Sequence, residues 1–251
     1  MNEEKFTGKA KDYEKYWPTY PKEFIQYLYT EIGFSKKSVI ADVGSGTGIL
    51  AELLLQEGSF VIGVEPNNDM RSIALNKFIG NKNYTSINST AEHINIQNNS
   101  IDFVTAAMAF HLFDKNKFKE ECQRILKDGG KVVIVEHNRD RQSESNIKNI
   151  EIDRFYCPGY NNSIAKMKQG PDDYIDFFSN GICENRVFRY DTNYDENSFI
   201  KMSLSSSFSP KEGDENYNPY VLALKQLFKN YNNSGILCIP NFTRSYIGEV
   251  K

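Results

Sequence analysis

The chain is short of most features that would announce a partner directly. Charge of one sign is not in surplus: 30 Lys and Arg stand against 33 Asp and Glu, a net charge of −3 over 251 residues. Such a balance offers no general attraction to a phosphate backbone, so nucleic acid is not an expected partner. Cysteines are few, at Cys122, Cys157, Cys183 and Cys238. No two of them have the close spacing of a zinc knuckle or a redox dithiol, so no metal is expected and reduced thiols in a cytoplasmic protein are. No run approaches ~18 consecutive apolar residues, and "MNEEKFTGKAKDYEKYW" lacks the apolar centre of a signal peptide, so no membrane is expected either. Glycosylation-type triplets such as Asn161-Asn162-Ser163 then read as accidents of an Asn-rich chain. There is no internal repeat.

What is present is an alternation. Strand patterns fall at Ser38–Val43, Phe60–Glu65, Tyr84–Asn88, Ile101–Met108 and Lys131–His137. Helical patterns lie between most of them, at Gly48–Gln56, Asp69–Phe78 and Lys115–Leu126, with Pro21–Gly33 as an amphipathic helix ahead of the first strand. Strands alternating with helices predict a parallel sheet covered on both faces. "LKDGGKVVIVE" places the end of a helix at Asp128-Gly129-Gly130, before a buried β-branched strand. After about Asn138 the steady period is lost, and the chain reads as a cap or lid. "RVFRYDTNY" (Arg186–Tyr194) reads as a sixth strand, Asn218–Tyr231 as an amphipathic helix, and Phe242–Val250 as a closing strand. "SLSSSFS" reads as a loop or helix end.

The stretch "VIADVGSGTGIL" carries the chemistry. Its glycines at 44, 46 and 48 form GxGxG, whereas a dinucleotide turn needs the third glycine at its sixth position, where Ile49 stands. No Lys-Ser/Thr pair follows, which excludes a phosphate-binding P-loop. A ligand without phosphates needs close backbone approach and an acid for a positive group, and Asp42 precedes the turn. Glu65 ends the next strand, where an acid can accept hydrogen bonds from both ribose hydroxyls. Thr90, Ala91 and Glu92 lie just past a third strand. The carboxyl ends of a doubly wound sheet converge, so Asp42, Gly44, Glu65 and the Ala91-Glu92 turn are predicted to line one pocket.

"DVGSGTG", "GVEPNNDM", "STAEHINIQNNSIDFVTAAMAFHLFD" and "KEECQRILKDGGKVVIVE", in that order, resemble the successive motifs of the class I S-adenosylmethionine-dependent methyltransferases. The resemblance spans roughly Tyr13 to His137. It is nearest to small-molecule enzymes of the trans-aconitate and quinone-biosynthesis type, although Trp17 stands where those often carry an arginine. It implies an α/β fold with a doubly wound, mostly parallel seven-stranded sheet, helices on both faces and a cap inserted after strand 5. N-terminal helices and a cofactor-binding core would occupy 1–137, the cap and acceptor-binding region 138–241, and a closing strand 242–251.

Carried over residue by residue, the resemblance implies S-adenosyl-L-methionine as cofactor and S-adenosyl-L-homocysteine as product. Gly44, Ser45 and Gly46 would pass its methionine part, with Asp42 near the ammonium. Glu65 would hold the ribose, Pro66 and Met70 would pack near the adenine, and Thr90, Ala91 and Glu92 would flank its polar edge. Ala107, Met108 and His111 would lie beside the sulfonium. Tyr13 and Tyr16 would close over it with their ring faces, or else staple the N-terminal helix together with Trp17.

His111 is the first candidate for a general base and Tyr13 a second catalytic candidate; His137 is a weaker base candidate, and His93 belongs to the cofactor-side loop. "NPY" at Asn218–Tyr220 stands too late in the chain for a base-amine methylation motif and reads as a helix start. The expected activity is methyl transfer to a small-molecule acceptor by a monomer or homodimer, at an oxygen, nitrogen or carbon. A non-catalytic S-adenosylmethionine sensor, with its cap pocket filled by side chains, and a nicotinamide-dependent oxidoreductase are the alternatives. An arginine such as Arg186 or Arg244 in the acceptor pocket would mark a carboxylate-bearing acceptor.

Overall fold

Seven strands form one sheet in the order β3-β2-β1-β4-β5-β7-β6 in a computed structural model that describes residues 8–160 and 174–251. The Asn161-Asn162-Ser163 triplet lies outside the described residues. The strands are β1 (Val39–Val43), β2 (Phe60–Val64), β3 (Tyr84–Ile87), β4 (Ile101–Ala107), β5 (Leu126–Arg139), β6 (Glu184–Tyr194) and β7 (Leu237–Gly248). β1 to β5 pair in parallel, and β7 runs antiparallel between β5 and β6. The order reverses between β1 and β4, and the β1 glycine turn opens at that switch point.

The helices are α1 (Ala10–Tyr16), α2 (Lys22–Tyr27), α3 (Ile49–Gln56), α4 (Asn68–Lys77), α5 (Lys115–Ile125), α6 (Glu144–Tyr156), α7 (Glu196–Leu204) and α8 (Tyr217–Tyr231). Two apolar layers hold the sheet. One packs β1, β4 and β5 against α5 through Phe118, Cys122 and Ile125; the other packs α2 and α3 through Phe24, Leu28, Leu50 and Leu54. A third cluster, built from Tyr194, Phe199, Tyr220, Leu224 and Phe228, lies among α6, α7, α8 and the sheet's far end. Among the described residues no helix is long and apolar enough to cross a membrane.

Three local expectations are corrected. The Pro21–Gly33 helix is α-helical only to Tyr27; Leu28–Ile32 widens into a π turn that Gly33 closes in the left-handed region at φ +102°. Asp128-Gly129-Gly130 does not end a helix: α5 stops at Ile125, and the three residues bulge from β5 where its pairing shifts from Ile101↔Leu126 to Phe103↔Lys131. The stretch after Asn138 contains the well-formed α6, whose buried residues are Ser145, Asn146, Asn149 and Asp153. Ser145, Asn146 and Asp153 replace apolar packing with hydrogen bonds. Asn146 Nδ2 donates to the carbonyls of Asp140 and Pro240, both at 2.9 Å. A helix with a polar buried face is invisible to hydrophobic periodicity.

α1 is strapped to both sides of the molecule. The Gly8 N–H donates to Asp69 Oδ2 at 3.0 Å, and Glu14 pairs with Lys77, which ties α1 to α4. On the other side Lys9 Nζ donates to the carbonyls of Ser206 and Ser209 at 2.7 and 2.8 Å. The "SLSSSFS" stretch is therefore the end of α7 and the loop on which Lys9 docks.

Candidate active site

The β1 turn is built around close approach. Gly44 has φ +70°, and a Cβ there would lie 2.4 Å from the Ala109 side chain. The turn is held to β2 by Glu65, whose carboxylate accepts the Gly46 N–H at 2.9 Å and the Asn67 N–H at 2.8 Å. One buried acid thus joins the glycine loop to the start of α4, where Asn67 caps the helix by accepting from the Met70 N–H at 3.0 Å.

Asp42, 1 % exposed, sits beneath the turn. Its Oδ1 accepts from the Thr105 hydroxyl at 2.6 Å, and its Oδ2 is buried with no hydrogen-bond partner among the described residues. Burial pushes its carboxyl up to about 6, against the pull of Thr105. Ser45 Oγ and Thr47 Oγ1 are also buried without partners. Unpaired buried polar atoms are costly, so this cluster suits a cationic, hydrogen-bonding group. The ammonium of S-adenosyl-L-methionine is such a group, and the residues present fit it.

The third strand's loop is set by a different device. Arg124 on α5 donates from Nη1 to the Ile96 carbonyl at 2.7 Å and from Nη2 to the Ile94 carbonyl at 2.6 Å; Glu121 accepts the Ile94 N–H at 2.6 Å. Glu92 Oε1 accepts the Asp114 N–H at 2.9 Å, closing the loop over the cleft.

Together these elements enclose a cleft of about 270 Å³. Of the residues singled out in the sequence, Tyr13, Gly44, Gly46, Glu65, Pro66, Met70, Thr90, Ala91, Glu92, Ala107 and Met108 line it. Asp42 and Ser45 line a smaller pocket at its base, shared with Tyr13, Gly44, Gly46 and Ala107. Two candidates fall elsewhere. His111 sits in a 3-10 turn (Phe110–Leu112) and lines neither this cleft nor the cavity described next; Tyr16 packs with the third apolar cluster. Asn67, Leu112 and Phe113 line the cleft without having been singled out. Phe113 had no sequence signal of its own, because only the turn after β4 aims it inward.

A second cavity, of about 160 Å³, lies between the sheet's far end and the cap. Trp17, His137, Arg139, Arg141, Asp153, Tyr160, Tyr194 and Asn241 are among its walls. Met108 lines both spaces. It leaves β4 in the left-handed region, at φ +54°, an uncommon conformation for a side chain of its size. On the N-terminal side Tyr13 and Trp17 stack at 4.8 Å, one ring on each space. Burial, with the charge of Arg139 adding, pushes His137 down to about 3, so its imidazole is neutral. Arg186 and Arg244 do not line this cavity: Arg186 pairs with Glu31 at 2.6 Å, and Arg244 lies over the Phe242 ring.

Residues 41–134, which carry the turn, the Glu65 strand and the Thr90–Glu92 loop, match the model of a methyltransferase domain family. Over those residues the chain is similar to a methyltransferase domain. An uncharacterized methyltransferase of Mycobacterium tuberculosis is 32 % identical over 133 residues, which is 52 % of this chain and 51 % of that protein. One of Schizosaccharomyces pombe is 28 % identical over 51 % of each chain. The chain thus spans about half the length of these relatives. The fold also resembles that of the YcgJ protein of Bacillus subtilis, with a TM-score of 0.55 and 16 % identity over 91 % of this chain and 99 % of that one. Phosphoethanolamine N-methyltransferase 2 of Haemonchus contortus, solved with S-adenosyl-L-methionine, gives a TM-score of 0.56 at 18 % identity, over 96 % of this chain and 56 % of that one. Around the residues that match this family, α6 to α8, β6 and β7 supply the cap-side cavity.

Proposed function

We propose that the protein is an S-adenosylmethionine-dependent methyltransferase acting on a small molecule. The observation that carries this reading is the buried, unpartnered Asp42 Oδ2 at the base of a cleft that meets a second cavity at Met108. The first feature suits the methyl donor's ammonium, and the second gives an acceptor a place beside the donor. When bound, the cofactor supplies a methyl group on a sulfonium, displaced in line by the acceptor's lone pair as the sulfur keeps the carbon–sulfur electrons.

The chain's own part is positioning. Asp42 and the glycine turn fix the amino-acid end, Glu65 braces the turn and faces the ribose side, and Tyr13 with Trp17 covers the two spaces. The open cavity beside Met108 favours turnover over a sensor role, for which the cap would be filled by side chains. Calorimetric titration tests the reading: S-adenosylhomocysteine is expected to bind with one site per chain. Binding of NAD in its place would overturn it. Transfer of tritiated methyl to any member of a small-molecule library then separates the enzyme from a sensor.

A further inference from the structure

The cap-side cavity has an uneven charge and a fixed spacing. His137 and Arg139 both line it, and they stand two residues apart on β5. In a strand such residues leave the same face, roughly 7 Å from each other. The His137 end adjoins the cofactor cleft, because the His137 backbone N–H donates to Sδ of Met108 at 2.9 Å, and Met108 lines both spaces. Arg139 therefore lies one strand repeat farther from the point where donor and acceptor meet.

Arg139 has little to hold. A guanidinium carries five N–H donors, yet among the described residues its side chain makes one hydrogen bond, from Nη2 to Met202 Sδ at 3.3 Å. A thioether is a weak acceptor. No described carboxylate lies within ion-pair distance of it. Asp140 is taken by Arg189 at 2.7 Å, and Asp153, which shares the cavity, accepts from the Tyr220 hydroxyl at 2.7 Å. Burial pushes the Asp153 carboxyl up while the nearby Arg139 charge and the Tyr220 hydroxyl pull it down, and Arg141 adds a second guanidinium at the exposed rim. The remaining wall mixes apolar side chains, Trp17, Ile150, Phe208 and Ile239, with polar Asn138, Ser206 and Asn241.

The His137 end is polar in a different way. The Tyr190 hydroxyl contacts His137 Nδ1 and also lies 3.1 Å from the Thr19 carbonyl, which can only accept. With the hydroxyl proton directed to Thr19, Nδ1–H would donate to Tyr190 and leave a lone pair on Nε2. That end of the cavity receives an O–H or N–H, while the Arg139 end receives an anion.

We propose that the methyl acceptor is a small carboxylate with an apolar body, its carboxylate seated on Arg139 and the hydroxyl or amine to be methylated held beside His137 and Met108. The carboxylate is the anchor rather than the methylated group, since its lone pairs are engaged by the guanidinium and it lies away from the junction. The inference rests on the methyltransferase reading.

The test uses the full chain saturated with S-adenosylhomocysteine, whose own binding is measured first. 4-Hydroxyphenylacetate and 4-aminobenzoate are titrated against their neutral primary amides. At least one acid is expected to bind about ten-fold or more tighter than its amide, as loss of a charge-assisted hydrogen bond implies. Arg139→Gln should abolish that preference, with S-adenosylhomocysteine affinity and thermal unfolding unchanged, and Arg139→Lys should restore part of it. Saturating acid should also shift the His137 ring nitrogen resonances, which a purely structural Arg139 would not explain. Equal binding of acids and amides, no binding of either, or a preference that survives Arg139→Gln overturns the proposal. If S-adenosylhomocysteine itself fails to bind, the methyltransferase reading falls, and this inference with it.

Discussion

The backbone N–H of His137 donates to Sδ of Met108 at 2.9 Å, so the end of β5 holds the side chain that stands between the two cavities. The same methionine leaves β4 at φ +54°. Two neighbouring parallel strands thus fix the wall between the two cavities, at some conformational cost.

That cost sets a first expectation. Met108→Gly relieves the left-handed strain, about 1–2 kcal/mol, and offsets much of what the lost side-chain contacts contributed. Met108→Val, β-branched at positive φ, should lose about 2 kcal/mol or more. Thermal unfolding compares them; a valine variant as stable as the glycine variant would contradict the strained geometry.

Glu65 is expected to act through the turn as well as on the ligand. In Glu65→Gln the amide cannot accept from both the Gly46 and Asn67 N–H groups, which Oε2 and Oε1 now do at 2.9 and 2.8 Å. Affinity for S-adenosylhomocysteine should fall about ten-fold or more, in line with one lost charge-assisted hydrogen bond of ~1.5–3 kcal/mol. Calorimetry reads the change, and unchanged affinity would mean that the turn is held by other contacts.

Asp42 gives a pH dependence with two opposite signs. Its folded carboxyl stands at about 6, above the 3.8 of an unburied aspartate. The protonated form is therefore favoured by folding, and this contribution to stability is present at low pH and lost as pH rises through about 6. Asp42→Asn should raise the thermal stability of the ligand-free protein at pH 7, by an amount on the order of 1–3 kcal/mol. Ligand binding runs the other way. S-adenosylhomocysteine should bind more weakly as pH falls below about 6, because a neutral Asp42 no longer pairs with an ammonium, and the asparagine variant should lack that dependence.

Gly44→Ala combines a left-handed backbone with a Cβ 2.4 Å from Ala109 and 3.1 Å from Phe113. The turn after β4 must then move, and S-adenosylhomocysteine binding is expected to be lost while the far-UV circular dichroism stays close to that of the native chain. Full binding by this variant would show that the two turns do not depend on their close approach.

Much of the cofactor side was legible in the sequence, because its signals are local. A turn that needs glycine, an acid before it and an acid at the end of the next strand are written in consecutive residues, and β1 to β4 appear within one or two residues of their predicted bounds. The acceptor side was not legible. α6 buries Ser145, Asn146, Asn149 and Asp153, so the helix carries no apolar stripe. His111 has a place in the sequence that suggests a base, yet the 3-10 turn after the left-handed Met108 carries it past both cavities.

By itself, then, the sequence determined the alternating α/β core and most of the residues that line the cleft at the glycine turn, since strand period, glycine turn and paired acids act over a few residues each. Only the tertiary structure decided which arginines line the cap-side cavity. Arg186 and Arg139 are equally plausible as letters, but β6 pairs at the sheet's edge and sends Arg186 to Glu31, while β5 extends past the core beside β7 and brings Arg139 to the cavity. Which charge is left for a ligand depends on which partners the whole chain has already supplied, and the partner of Arg186 is 155 residues away in sequence.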